Sequence, residues 1–405
     1  MRSMVKRNLE KYLIDTLNNK KSFFLFGPRQ TGKTTLLNSI KKKFRNVSEY
    51  SFLDTSLRQK VEREPYIIRE EIKFKKPELV ILDEVQKVPD ILDEVQLMID
   101  NKNTIFAISG SSMRKLKNLL AGRVLCFHLD CFNLQEKCSF FSSCRSTEVL
   151  KTILTYGDLP EISILTNDNK YKQAEDILKS YVETFLEEEI RKESMVRKIG
   201  SFNSFLSLSA EMSGKLVSLR GLSQDIGVSY HTISSYYKIL AECMIIEEIK
   251  PLLPKSSRRR LSKSSKYIYF DLGVKNAASE TLTYSGVNNA EWGVRFEQWV
   301  ILEMIRYFRS RNSKVKVYYW RDHNGPEVDL VIDYNNIWIP VEIKFSNTVK
   351  KSHYRHLQFF LNEYKHKTEK AFIINLSDQS RQITENIISV PWFMLTDIFK
   401  IINKL

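Results

Sequence analysis

The stretch Gly27-Pro-Arg-Gln-Thr-Gly-Lys-Thr34 leaves the chain around it little choice of fold. Before it, Phe23-Phe-Leu-Phe26 is an apolar run of strand length; after it, Leu36-Leu-Asn-Ser-Ile40 opens as a helix. A strand, a glycine-anchored loop and a helix start turn successive backbone N–H groups inward around an anion. Gly27 and Gly32 suit the loop because a Cβ would block its turn or its approach to the anion. Lys33 then reaches the outer phosphates of a nucleoside triphosphate, and the Thr34 hydroxyl is a ligand for Mg²⁺. The expected ATP-binding set is Gly27, Pro28, Arg29, Gln30, Thr31, Gly32, Lys33, Thr34 and Thr35, on a parallel α/β sheet.

A second motif extends the chemistry from binding to hydrolysis. Pro77-Glu-Leu-Val-Ile-Leu-Asp-Glu84 is an apolar strand ending in two carboxylates. Asp83 is expected in the Mg²⁺ shell, and Glu84 next to it is placed to polarise the attacking water. The hexapeptide Ile81–Gln86 recurs as Ile91–Gln96, so context must decide between the copies. The first copy ends an apolar strand. The second follows Pro89-Asp90, a helix start, and repeats Leu92, Val95 and Ile99 at helical spacing, so Asp93 and Glu94 read as solvated helix residues. Further on, Thr104–Ser112 is another strand ending in small polar residues, where Ser111 is expected to sense the γ-phosphate. Arg114 and Arg123 follow, each either a source of transition-state charge, with Arg123 the one taken for the site, or a plain surface arginine.

The 405 residues suggest two or three domains. Lysine and arginine number 63 against 48 acidic residues, a net +15, with clusters at Lys41–Lys43, Arg258–Arg260 and Lys350–Lys351. Such a surface favours phosphate backbones, or is simply a solvated basic face. No stretch is apolar enough to span a bilayer. Five cysteines, an odd number without zinc-knuckle spacing, argue for idle thiols in a reducing cytoplasm. Val5–Asn18 reads as an amphipathic helix with Leu9, Leu13 and Leu17 on one face.

Gly-Pro-Arg-Gln-x-Gly-Lys-Thr-Thr, Leu-Asp-Glu-x-Gln, Gly-Ser-Ser (Gly110–Ser112) and Ala-Gly-Arg (Ala121–Arg123) resemble, in that order, a prokaryotic ATPase family. That family is related to AAA and STAND ATPases and carries a C-terminal domain of unknown function, DUF4143. Lys266-Tyr-Ile-Tyr-Phe-Asp-Leu-Gly273 is similar to a further stretch of the same family, so the resemblance covers nearly the whole chain. It implies ATP binding and hydrolysis. Cys131–Glu136 departs from the family's usual Pro-Leu-Ser-Phe-x-Glu segment.

Beyond Leu159-Pro160, Leu222–Leu240 reads as a helix–turn–helix: Gly227 makes the turn and Ser229 caps the second helix. Ile233, Tyr237 and Leu240 form its buried side. Tyr230, His231, Ser234, Ser235 and Lys238 are left outward, able to meet bases or phosphates. Ile245–Lys250 and Lys266–Phe270 pair as a winged hairpin, and the module serves either nucleic-acid binding or packing. In the last third, Asp329 opens one strand and Glu342-Ile-Lys344 ends the next, with Glu297 on a preceding amphipathic helix. Alternation puts Glu342 and Lys344 on one strand face beside Asp329. The pattern resembles restriction-endonuclease-like nucleases, which implies Mg²⁺ on the carboxylates and Lys344 on the scissile phosphate.

The expected architecture is α/β throughout: a P-loop ATPase domain (1–155), a helical linker with a winged helix (156–280) and a restriction-endonuclease-like domain (281–405). The expected function is a cytoplasmic ATPase using ATP and Mg²⁺, coupled to a module that binds nucleic acid, DNA favoured, with no membrane partner. The alternative is an ATP-dependent regulatory switch whose nuclease-like domain is inactive. Homo-oligomer formation stays open.

Overall fold

The computed structural model describes residues 5–101, 104–111, 122–141, 145–186, 199–253, 261, 264–283, 286–313, 315–323 and 325–402. The chain divides into two units, one of Met1–Phe132 with Leu240–Ile245 and Arg309–Ser313, the other of the remainder.

The first unit is built on β1 (Ser22–Phe26), β2 (Val47–Ser51), β3 (Leu79–Asp83), β4 (Phe106–Gly110) and β5 (Val124–His128). Every pairing is parallel, in the order β2-β3-β4-β1-β5. Parallel strands covered by helices on both faces have no solvent side, which is why Phe23–Phe26 and Leu79–Leu82 are unbroken apolar runs. Alternate side chains still go to different layers. Phe23, Leu25 and Ile81 pack against Leu9, the N-cap of α1 (Glu10–Asn18), with Leu13 and Leu17 of that helix and Leu36, Leu37 and Ile40 of α2 (Lys33–Lys41). On the other face, Phe24, Phe26 and Leu82 meet α3 (Thr55–Arg63), α4 (Tyr66–Lys75) and α5 (Ile91–Asp100) through Val61, Ile68, Ile72, Leu92 and Val95. Helix α1 begins at Glu10 rather than at Val5, and Arg7, ahead of it, turns its side chain to loop carbonyls instead.

The second unit carries a mixed eight-stranded sheet, β12-β13-β11-β10-β9-β8-β6-β7. Its strands are β6 (Ile246–Pro251), β7 (Lys266–Tyr269), β8 (Lys316–Arg321), β9 (Glu327–Tyr334), β10 (Ile337–Ile343), β11 (Ala371–Asn375), β12 (Arg381–Thr384) and β13 (Ile387–Pro391). A helical region precedes it: α6 (Leu134–Phe140), α7 (Thr147–Tyr156), α8 (Pro160–Asn167), α9 (Tyr171–Ser180) and α10 (Ile199–Glu211). The helix–turn–helix is present as α11 (Leu219–Ile226) and α12 (Tyr230–Glu242). Gly227 turns between them at φ +71°, and Ser229 Oγ accepts from Thr232 N at 3.1 Å. Ile233, Tyr237 and Leu240 are buried, while Tyr230, His231, Ser234, Ser235 and Lys238 are exposed. The two strands expected as a hairpin do pair, antiparallel, with Ile246 opposite Tyr269 and Ile249 opposite Lys266. They do not stand apart as a wing, since β6 also runs parallel to β8 and continues the large sheet. After β7 come α13 (Leu272–Ala278), α14 (Asn289–Arg309), α15 (Lys351–Glu363) and α16 (Asp397–Ile402).

Deep in this second unit lies a knot of charge. Asp158 pairs with Lys137 and with Arg306, both at 2.7 Å, and Arg306 also reaches Glu303 at 3.3 Å. Glu303 Oε2 accepts the backbone N–H of Leu134 at 2.9 Å. Burial raises the Glu303 carboxyl from 4.5 to about 7, outweighing the nearby Arg306 charge. The folded chain therefore holds this proton where the unfolded chain has released it, so the group's contribution is full below about pH 4.5 and is lost as pH rises through about 7. The thermal midpoint of this unit should fall between pH 5 and pH 8 by more in wild type than in Glu303→Gln, the group accounting for on the order of 3 kcal/mol. Equal pH slopes in the two proteins would mean that Glu303 is already ionised at pH 5.

No helix among the described residues is long and apolar enough to cross a membrane. Cys126 is exposed and Cys131 and Cys243 are buried; Cys138 is disulfide-bonded, against the expectation of idle thiols.

Candidate functional site

In a parallel sheet, loops leaving the carboxyl ends of the strands meet on one edge. Here β4 lies between β1 and β3, so the carboxyl ends of all three strands lie side by side. The loop after β1 closes with Gly32 at φ +92°, and α2 starts at Lys33, its N-terminus toward the loop. A Cβ on Gly27 would collide with the carbonyl of Leu129, so only glycine lets β1 leave the sheet this way. The loop is fixed by its own bonds: Thr31 Oγ1 donates to the Pro28 carbonyl at 2.9 Å, and Arg7 donates to the Thr31 carbonyl at 2.8 Å. The buried Lys33 ammonium donates to the carbonyls of Gly27 and Pro28 at 2.8 and 2.9 Å, which holds it at the loop mouth. Arg29 and Gln30 are half-buried, while Thr34 and Thr35 are exposed on the first turn of α2.

Asp83 ends β3, buried, and accepts from Thr34 Oγ1 at 2.7 Å. Its other oxygen accepts from Ser109 Oγ, on the neighbouring strand β4. Two hard oxygen groups, Thr34 and Asp83, thus meet beside the loop, a donor set that fits Mg²⁺ shared with phosphates. Glu84 follows with φ +62°, a left-handed conformation costly for a residue with a Cβ. The turn swings its side chain away from the strand axis toward Gln86, whose Nε2 donates to Glu84 Oε2 at 2.6 Å. The same Nε2 donates to Ser111 Oγ at 2.8 Å, and Ser111 N donates to Gln86 Oε1 at 3.3 Å. Glu84 and Ser111 are therefore joined through one amide. Ser111 itself is fully buried.

The repeated hexapeptide is resolved by these elements: the first copy ends β3, and the second lies in α5. Asp93 is exposed, as expected of a solvated carboxylate, but Glu94 is half-buried and pairs with Arg69 at 3.2 Å. Arg123 is not brought to the loop. It precedes β5, whose first residue Val124 pairs with Ser22 at the start of β1, and it pairs with Asp100 at 2.8 Å. Arg114 and Arg258–Arg260 lie outside the described residues.

A second cluster sits in the C-terminal sheet. The β9–β10 ladder ends at Val341 opposite Leu330, where the strands part. Two residues on, the Ile343 N–H donates to Asp329 Oδ2 at 2.8 Å. Lys344 reaches back from the end of β10, its ammonium 2.7 Å from Glu342 Oε1 and 3.5 Å from Asp329 Oδ2. Glu297 on α14 completes the group but is held by Lys266 of β7 at 2.9 Å. Burial, with the Asp329 charge added, raises the carboxyls of Glu297 and Glu342, the latter well above the usual range. Burial opposes charge on Lys344, yet Asp329 and Glu342 outweigh it and hold the ammonium protonated. Asp329, Glu342, Lys344 and Glu297 thus come together as alternation and helix placement predict. Among the described residues, however, no three carboxylate, imidazole or thiol groups are grouped as a metal site, and Glu297 and Glu342 are each paired with a lysine.

Sequence reasoning gave no role to Gln86, Ser109, Arg7 or Lys266. Gln86 did carry a signal, since it stands two residues after Glu84 in the repeated hexapeptide. The other three bond to partners remote in sequence.

Three family models match in succession: an AAA domain over residues 19–138, a domain of unknown function (DUF8612) over 147–285, and a domain of unknown function (DUF4143) over 292–394. Uncharacterized proteins of Mycobacterium tuberculosis and Mycobacterium bovis are each 23% identical over 334 residues, 80% of this chain and 70% of theirs. Among solved structures, a Walker-type ATPase of Pyrococcus abyssi superposes with a TM-score of 0.50 at 14% identity, over 68% of this chain and 96% of that one. A signal transduction ATPase with numerous domains (STAND) from Pyrococcus horikoshii, with a tetratricopeptide repeat sensor, covers 76% of this chain and 47% of its own. Its TM-score of 0.30, at 17% identity, is too low to bear on the fold.

Proposed function

We propose that this chain, a P-loop ATPase of AAA type joined to DUF8612 and DUF4143, uses ATP hydrolysis to govern a nucleic-acid-binding, nuclease-like C-terminal unit. The triphosphate lies along Gly27–Thr34, with Lys33 exchanging its carbonyl partners for phosphate oxygens. Thr34 and Asp83 hold Mg²⁺, which supplies charge neutralisation at the outer phosphates. Glu84 orients and deprotonates water, its aim set by Gln86. Through the same Gln86, Ser111 reports the γ-phosphate to Glu84.

The observation that carries the C-terminal part is the Lys344 ammonium set between Asp329 and Glu342 where two strands part. Asp329 and Glu342 would hold a divalent cation, the buried and unpartnered Glu342 Oε2 being a fitting ligand. Such a cation supplies Lewis-acid stabilisation of a phosphodiester, with Lys344 adding fixed positive charge. The exposed Tyr230, His231, Ser234, Ser235 and Lys238 of α12 support DNA as the partner. Plasmid and single-stranded DNA should be cut in Mg²⁺ or Mn²⁺, and Lys344→Ala should lower the rate about 100- to 1,000-fold. Cutting that survives the substitution would remove the site from the reaction.

One observation favours a second reading, a regulatory switch with an inactive nuclease-like domain: both lysines already occupy carboxylates that a metal would need. DNA binding without cutting, with and without ATP, would select it.

A further inference from the structure

We propose that Lys266 is a latch on the C-terminal acidic site, holding Glu297 so that it cannot join Asp329 and Glu342 around a divalent cation. The inference rests on the reading of that cluster as a cation site.

Three carboxylates, Glu297, Asp329 and Glu342, share this corner of the sheet with two ammonium groups, Lys266 and Lys344. The two lysines have different attachments. Lys344 directly follows β10, two residues after Glu342, whereas Lys266 comes from β7, brought alongside α14 because the β6–β7 pair joins the large sheet. Its Nζ sits 2.9 Å from Glu297 Oε1 and 5.4 Å from the centre of the Tyr319 ring, so the ammonium is held from two sides. Its side chain is only 14% exposed, and the Asp329 charge also acts on it.

The remaining carboxylate supplies an independent sign of an incomplete site. Glu342 is 5% exposed and its Oε2 has no hydrogen-bond partner. Leaving a buried carboxylate oxygen unmatched is costly, and a hard cation is one group that matches it. Such a cation takes several oxygen ligands, and Glu297 is a further carboxylate close enough for the Asp329 charge to act on it. With Lys266 in place Glu297 is spent on an ammonium; with Lys266 withdrawn, three carboxylates face Lys344 alone. The latch is thus a positioning residue, acting on the cation through Glu297.

Mn²⁺ binding to the full chain without nucleotide, measured by calorimetry, tests this directly, since any weak binding at the nucleotide loop is common to all variants. Lys266→Met keeps an apolar stem against Tyr319 and should bind one Mn²⁺ at least about tenfold tighter than wild type, the order expected on removing a unit charge a few ångströms away. Adding Glu297→Gln to Lys266→Met should abolish that gain. If Lys266→Met does not fold, Lys266→Gln, which keeps a donor for Glu297 and drops the charge, carries the same expectation. Equal, Asp329-dependent affinity in wild type and Lys266→Met overturns the latch and leaves the cation site standing. No Mn²⁺ binding in either protein overturns both. A gain that survives Glu297→Gln also overturns the latch.

Discussion

Lys33→Ala is expected to bind ATP at least about a hundredfold more weakly than wild type while keeping its fold. The Lys33 ammonium is buried and already makes two hydrogen bonds, to the carbonyls of Gly27 and Pro28. Transferred to phosphate oxygens, two charge-assisted bonds are worth about 1.5–3 kcal/mol each. Their loss, about 3–6 kcal/mol in total, corresponds to two or more decades in affinity. The fold should survive because the loop has other anchors, Thr31 on Pro28 and Arg7 on Thr31, that do not pass through Lys33. Titration with a fluorescent ATP analogue, beside a thermal melt, separates the two effects. Affinity within a few-fold of wild type would place the triphosphate elsewhere.

The first sheet was open to reading because its chemistry is local. Unbroken apolar runs such as Phe23–Phe26 and Leu79–Leu82 declare strands buried on both faces, and the glycine-anchored loop declares a helix after the first of them. That the first Asp-Glu copy ends a strand and the second lies in a helix was legible for the same reason, since strand and helix periodicities differ within ten residues. Strand order was not. That β4 lies between β1 and β3, and so brings Ser109 onto Asp83, is a matter of long-range pairing. Arg123 shows the same gap from the other side: nothing local says that it enters the sheet at the end away from the loop. In the second unit, period-two alternation was enough to gather Glu342 and Lys344 near Asp329. Lys266 could not be seen there, because it arrives only when β6 pairs with β8 and extends the sheet.

Glu84→Gln is expected to do something quite different from Lys33→Ala, and it bears most directly on the proposed hydrolysis. The carboxylate sits on a left-handed residue beside Asp83 and is oriented by Gln86, an arrangement suited to water activation and not to holding phosphate. A glutamine keeps the shape and loses the base, so a loss of about 100- to 10,000-fold in turnover is expected. Glu94, in the second copy, pairs with Arg69 on α4, and its loss should cost little because such partly exposed pairs contribute about 0–1 kcal/mol. The deciding measurement is steady-state Mg²⁺-ATP turnover, with ATP affinity measured alongside, for wild type, Glu84→Gln and Glu94→Gln. ATP binding retained in all three with turnover lost only in Glu84→Gln is the predicted result; normal hydrolysis by Glu84→Gln, or loss of hydrolysis in Glu94→Gln instead, would contradict it.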